Sequence, residues 1–187
     1  MTAARTGDDE LVETLIAARA DVNAKDNDDH TPLMYWVINS DSSDVIHSLI
    51  RCGADIAARD KGGWTALMYA AENGHTNCID ALIAAGSDAS ISTALILAAR
   101  DDQPAAITTL IADKADKDAT DSDGWSPLMY AAYHGHIKSV DALISVGANV
   151  NVRGNSGATA LSCAMSGNDG KGYPDVIAAL KAAGATQ

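Results

Sequence analysis

His134-x-His136 is the closest histidine pair in the chain, and two imidazoles at that spacing are the beginning of a metal site. Two ligands do not complete one, since zinc takes three or four protein side chains. Cys52, Cys78 and Cys163 are odd in number and scattered among helical positions, at neither metal-ligand nor disulfide spacing, so reduced, partly buried thiols are expected. Ser162-Cys163, Asp44 and His47 supply nucleophile and base types without an arrangement of nucleophile, base and orienting group. The stretch from Gly167 to Gly172 is rich enough in glycine to suggest a phosphate loop, but it lacks the Walker pattern and has no strand before it. A lengthened turn between helices is expected there. Gly-x-Ser-x-Gly and His-Glu-x-x-His do not occur. These residues predict no catalytic group, no metal and no cofactor, and so no enzyme.

Charge narrows the partners. The net charge of -12 and pI near 4.5 argue against a nucleic-acid groove, which needs clustered Lys and Arg, and would favour a basic protein. Residues 1–10 carry no apolar signal core, and no run approaches the ~18 apolar residues of a membrane span, so a soluble, cytoplasmic, monomeric chain without membrane contact is expected. Apolar residues make up 47%, aromatic residues only 4%, and Phe is absent. The core must therefore be built of Ala, Leu, Ile and Val.

What positions these residues is a repeat. Thr31-Pro32-Leu33-Met34, Thr65-Ala66-Leu67-Met68, Thr93-Ala94-Leu95-Ile96, Ser126-Pro127-Leu128-Met129 and Thr159-Ala160-Leu161-Ser162 begin 34, 28, 33 and 33 residues apart. A hydroxyl before the first turn can accept from an orphan N–H, and proline fits that turn because no donor is needed there. Alanine pairs follow at Ala70-Ala71, Ala98-Ala99 and Ala131-Ala132, then Asn73-Gly74-His75 and His134-Gly135-His136. Gly53-Ala54-Asp55-Ile56 and Gly147-Ala148-Asn149-Val150-Asn151 close their copies. A sixth copy lacks its opening but matches from Ala3-Ala4 onward.

This pattern resembles the ankyrin repeat, with its period of about 33 residues and Thr-Pro-Leu-His-x-Ala signature. The resemblance covers essentially the whole chain. It implies an all-α repeat solenoid, a right-handed stack of helix-turn-helix units with short β-hairpin fingers, forming a single domain over 1–187. The units are expected at 1–26 (an N-terminal cap), 27–59, 60–88, 89–121, 122–154 and 155–187 (a C-terminal cap), with helices at 66–73, 76–85, 94–101, 104–113, 127–134 and 137–146. Met34, Met68 and Met129 stand at the signature's histidine place, as core or as a binding stripe. The family implies that His75 and His136 organise the turns between helices.

Departures from the template mark points of interest. Trp36-Val37 replaces an alanine pair, and the turn Asn39–Asp44 is one residue longer; the two are expected to be related. Between Gly86 and Thr93 five residues of a finger are missing. Lys114 replaces the glycine at a helix end, so a strained turn is expected there.

Such a stack implies a concave face of finger tips and exposed sides of first helices. His30, Tyr35, Trp64, Tyr69, Leu97, Trp125, Tyr130, Tyr133 and His134 are the candidate partner-binding residues on it, with an acidic rim of Asp26, Asp28, Asp29, Asp60, Asp121 and Asp123. Exposed Trp and Tyr dominate interaction hot spots; the alternative is that these rings form a rigid wall. The expected function is a non-enzymatic protein-protein interaction module, acting as adaptor, scaffold or stoichiometric inhibitor. An additional role as a substrate of asparaginyl hydroxylation at Asn23 and Asn151 follows from the resemblance.

Overall fold

The computed structural model describes residues 1–87, 90–167 and 169–186. The expected unit boundary at 88 and 89, residue 168 of the glycine-rich turn and the last residue lie outside the described residues. Contacts divide the chain into two compact units, Met1–Ile91 and Ser92–Gln187.

The first unit holds α1 (Thr2–Thr6), α2 (Asp9–Ala17), α3 (Pro32–Asn39), α4 (Ser43–Arg51), α5 (Ala66–Asn73) and α6 (Thr76–Ala84). Helix α3 packs between α1 and α5, and α4 between α2 and α6, so the unit is two rows of helices. The second unit holds α7 (Ile91–Arg100), which begins at the division, α8 (Pro104–Ala112), α9 (Pro127–His134), α10 (Ile137–Ser145), α11 (Ala160–Ser166) and α12 (Pro174–Ala182). Here α9 packs on α11, and α10 between α8 and α12.

The openings act as caps. The side chains of Thr31, Thr65 and Ser126 accept from the N–H of Met34, Met68 and Met129 at 3.3, 3.4 and 3.3 Å. At the other end Gly74 and Gly135 take the left-handed conformation that stops α5 and α9. Thr93 does not act as its counterparts do. It lies exposed inside α7, which starts at Ile91, two residues before it. The buried Ser90 just ahead of α7 places its Oγ 3.0 Å from Thr65 Oγ1.

Small and aliphatic side chains fill both cores, and Met34, Met68 and Met129 are buried among them, which decides for core packing over a surface stripe. Trp36, with no exposed surface, is the exception. Its indole N–H donates to Ser42 O at 2.9 Å, so the longer turn supplies the acceptor that the buried ring requires. The N-terminal cap leaves apolar surface in the open, with Leu11 and Leu15 44% and 39% exposed while Val12 is buried.

No strand forms among the described residues, so the expected β-hairpin fingers are closed turns. Asp26 with His30, Asp60 with Trp64, and Asp121 with Trp125 each close a tip by one N–H to C=O bond of 3.1–3.2 Å. These pairs are too short to extend into a ladder. The side chains of Asn23 and Asn151 bridge forward, each donating to a glycine carbonyl (Gly53, Gly184) and accepting from a backbone N–H (Asp55, Thr186).

The turns between helices exchange bonds with their neighbours. In the first unit, His75 Nδ1 lies 2.8 Å from Val37 O, and Asp41 accepts from the N–H of Cys78 and the amide of Asn77. In the second unit, His136 Nε2 lies 2.9 Å from Arg100 O, and Ser139 Oγ donates to Asp102. Gly167 and the turn residues from 169 onward fold Tyr173 onto Gly135 and Gly167, where a Cβ would collide with the ring.

Candidate functional site

Three tips carry an aspartate nine residues ahead of a tyrosine, and the tip turn brings the two together. In the first unit Asp26 Oδ1 accepts from the N–H of Asp28 and His30, both at 2.9 Å, while Tyr35 OH donates to Oδ2 at 2.6 Å. Asp60 repeats this: Oδ1 accepts from Trp64 N–H at 2.9 Å and Oδ2 from Tyr69 OH at 2.5 Å. The carboxylate thus ties the tip to the first helix. The Tyr35 hydroxyl, then the tip N–H groups, hold the Asp26 carboxyl down at about 2. Burial opposes the charge on Asp60, but bonds from Tyr69, Trp64 and Gly62 together with nearby His30 outweigh it and keep that carboxyl below the usual range. Burial and the facing Asp60 push the Tyr69 hydroxyl well up.

His30 stands where the tips at Asp60 and Asp121 carry Trp64 and Trp125. Its ring lies 5.2 Å from Tyr35 and 5.9 Å from Tyr69, with Nε2 3.2 Å from Tyr69 Oη and 3.6 Å from Asp60 Oδ2. It therefore fills the space between two latches. Trp64 leans on Tyr69 at 5.0 Å, and the Arg5 guanidinium lies 5.6 Å from the Tyr35 ring centre.

In the second unit Asp121 Oδ1 accepts from the N–H of Asp123 and Trp125 at 2.9 and 2.8 Å, and Tyr130 OH donates to Oδ2 at 2.7 Å. Burial and Asp121 push the Tyr130 hydroxyl up to about 12. Trp125 lies 5.1 Å from Tyr130 and 5.5 Å from Tyr133, edge to face with the latter. Tyr133 is 43% exposed, and beside these rings is an open depression of about 540 Å³ lined also by Asp123, His134, Asn155 and Ser156. His134 stacks on His136 at 5.6 Å, and burial followed by that neighbour lowers its pKa. His136 is committed to Arg100 O, so the pair is a turn device. Among the described residues no group of three or more His, Cys, Asp or Glu could hold a metal, and no helix is long and apolar enough to cross a membrane.

The structure brings His30, Tyr35, Trp64 and Tyr69 together in one unit and Trp125, Tyr130, Tyr133 and His134 together in the other. Leu97 is corrected: it is 7% exposed, because every residue of α7 from Ala94 to Ala99 turns into the core. The acidic rim is also reduced. Asp26, Asp60 and Asp121 spend their oxygens on tip N–H and tyrosine hydroxyls, leaving Asp28 and Asp123 exposed. The latch went unread in the sequence, although Asp26/Tyr35, Asp60/Tyr69 and Asp121/Tyr130 share one spacing. All three thiols are free: Cys78 and Cys163 are buried, which pushes them to about 12 and about 11, whereas Cys52 is exposed.

A family profile described as "Ankyrin repeats (3 copies)" matches residues 1–94 and 95–186. Among curated proteins, "Ankyrin repeat and SAM domain-containing protein 6" of Rattus norvegicus is 39% identical over 79 residues, 42% of this chain. "Probable palmitoyltransferase AKR2" of Saccharomyces uvarum is 37% identical over 65 residues, 35% of this chain. The match covers only 9% of either relative. Solved structures agree over far more of the chain. An ankyrin repeat domain from Acinetobacter baumannii AYE matches with a TM-score of 0.78 at 27% identity, covering 99% of this chain and 97% of that one. The ankyrin repeat domain of Bcl-3, a member of the IkappaB family, matches with a TM-score of 0.80 at 29% identity, covering 99% and 85%. A chain from the complex of a Bdellovibrio bacteriovorus predatory endopeptidase with its immunity protein matches with a TM-score of 0.78 at 26% identity, covering 97% and 95%. Ankyrin domains typically serve as non-enzymatic interaction scaffolds. With helical hairpins in both units and a family match over residues 1–94 and 95–186, this chain belongs to the ankyrin-repeat family.

Proposed function

We propose that the protein is a non-enzymatic interaction module that binds a protein partner through the aromatic tips and first-helix faces of its two units. The observation that carries this reading is the placement of the rings. Six of the eight aromatic residues (Tyr35, Trp64, Tyr69, Trp125, Tyr130 and Tyr133) stand at tips or first-helix faces, and all six keep exposed surface. The latches hold the Tyr35, Tyr69 and Tyr130 rings in fixed orientation, so little side-chain entropy is lost there when a partner covers them. The exposed Asp28 and Asp123 and the overall charge favour a basic partner. Adaptor, scaffold and stoichiometric inhibitor all use this same surface.

Asparaginyl hydroxylation remains secondary. Asn23 and Asn151 are exposed, but both side chains are clamped to the following loop, which would have to be lifted before an enzyme could act.

The test is affinity purification from the native lysate with mass spectrometry, run on the parent chain, on Trp64→Ala, Trp125→Ala and Tyr130→Ala, and on the outward Lys138→Ala. The three aromatic variants should lose the specific partner, with affinity falling about thirtyfold for a buried anchor. Lys138→Ala should keep it. Retention by all three aromatic variants and loss by Lys138→Ala would place binding on the opposite surface.

A further inference from the structure

The depression beside Trp125 has a definable ligand chemistry. Three aromatic rings, Trp125, Tyr130 and Tyr133, stand around it, and ring faces attract cations. Tyr130 donates its hydroxyl proton to the Asp121 carboxylate, which leaves its ring richer in electrons. Neither lysine nor arginine lines the space, and the exposed Asp123 carboxylate sits at its edge. The Asn155 amide nitrogen donates to Ser122 O at 2.9 Å, which fixes Asn155 Oδ1 as an acceptor. An anion would meet negative charge here, and a neutral apolar group would leave these acceptors unanswered.

We propose that this depression receives the guanidinium of an arginine carried on a basic segment of a partner protein. The inference rests on the interaction reading above and specifies what the site takes. Arginine fits better than lysine because the guanidinium is planar, weakly hydrated and carries five N–H donors, so it can stack on a ring while donating to carboxylate and amide oxygens. The molecule itself supplies a precedent. In the first unit the Arg5 guanidinium lies 5.6 Å from the centre of Tyr35, a ring latched to Asp26 as Tyr130 is to Asp121. There the chain's own arginine occupies the tyrosine. In the second unit Arg100 holds the register position of Arg5, but its guanidinium is drawn to the Asp101 carboxylate at 2.8 Å, and the equivalent ring borders open space.

The experiment is an NMR titration of the labelled full chain with the blocked peptide Gly-Gly-Arg-Gly-Gly, and with counterparts carrying lysine or citrulline, the neutral isostere of arginine. Saturable shifts of the Trp125 indole and Tyr133 ring signals are expected with arginine. Citrulline should bind about tenfold more weakly, as loss of a partly desolvated cation contact predicts. Asp123→Asn and Tyr133→Ala alter exposed side chains, so they should weaken arginine binding several-fold while leaving the far-UV spectrum unchanged. Equal binding of citrulline and arginine, tighter binding of lysine, or no saturable shift at these two residues overturns the proposal. If Trp125→Ala still loses the co-purified partner while arginine is ignored, this inference fails alone. A partner indifferent to every aromatic variant defeats the interaction reading and takes this inference with it.

Discussion

One device closes tips in both units, and the space beside it differs between them. Asp26 with Tyr35 and Asp60 with Tyr69 in the first unit, and Asp121 with Tyr130 in the second, form the same latch, in which one carboxylate caps the tip and accepts a tyrosine hydroxyl. In the first unit His30 fills the gap between latches, Arg5 lies against Tyr35, and Glu72 stands where the repeat register puts Tyr133 in the second. In the second, Tyr133 stands edge to face with Trp125 beside open space. The latch is therefore scaffold, and a few neighbouring side chains decide whether a tip is filled or left open to a ligand.

Breaking the latch should have the largest effect on stability. Tyr69→Phe and Tyr130→Phe each remove a hydroxyl that donates to a carboxylate, and should cost about 1.5–3 kcal/mol in urea unfolding. Tyr69→Phe should cost the more, because the Asp60 side chain it abandons is only 6% exposed. An equal, negligible loss in both would show that the latch is incidental. Tyr35→Phe should cost less than Tyr69→Phe, since Asp26 is 29% exposed.

The second prediction concerns acid. The folded Asp26 carboxyl keeps its charge down to about 2, below the ordinary carboxylate value of ~3.9, so the stability it contributes is present above pH ~4 and is lost as pH falls through 2. Carboxyl NMR of Tyr35→Phe should show Asp26 titrating nearer ~4, because the principal hydrogen bond is gone. An unmoved titration would assign the depression to the tip N–H groups alone.

Helix ends offer a smaller contrast. Gly53 follows α4 in the first unit with φ 85°, whereas Lys114 follows α8 in the second with φ 70°. Lys114→Gly should raise stability by about 0.5–1 kcal/mol, the relieved left-handed strain exceeding the added unfolded-state entropy. Destabilisation would show that the lysine side chain contributes more than the backbone loses. Least of all should change on giving the second unit the residue of the first: Tyr133→Glu should alter stability by less than about 0.5 kcal/mol. Its near-UV circular dichroism should lose the Trp125–Tyr133 edge-to-face signal all the same.

The sequence made helices legible wherever both ends were written in it. Ala66–Asn73 and Pro127–His134 form over the expected residues because Thr65 and Ser126 cap the starts and Gly74 and Gly135 the ends. Helices α6, α8 and α10 stop one residue sooner, that residue serving as the cap. Where the repeat was shortened, register misled: Thr93 aligns with Thr65 yet lies inside α7. The link between Trp36 and the longer turn was readable because a buried indole needs an acceptor nearby. The latches were not, since the aspartates were read as rim charge and the tyrosines as groove wall. Leu97 was misplaced because a spacing of one residue per turn cannot say how far a helix sinks into its core.

The central claim, that the latched aromatic tips are the binding surface, is tested most directly by hydrogen–deuterium exchange of the chain alone and with its purified partner. The account predicts added protection over 26–35, 60–69 and 121–134, with the second-row helices at 43–51, 104–112 and 137–145 unchanged. Protection confined to those second-row helices, with the tips exchanging as in the free chain, would contradict it.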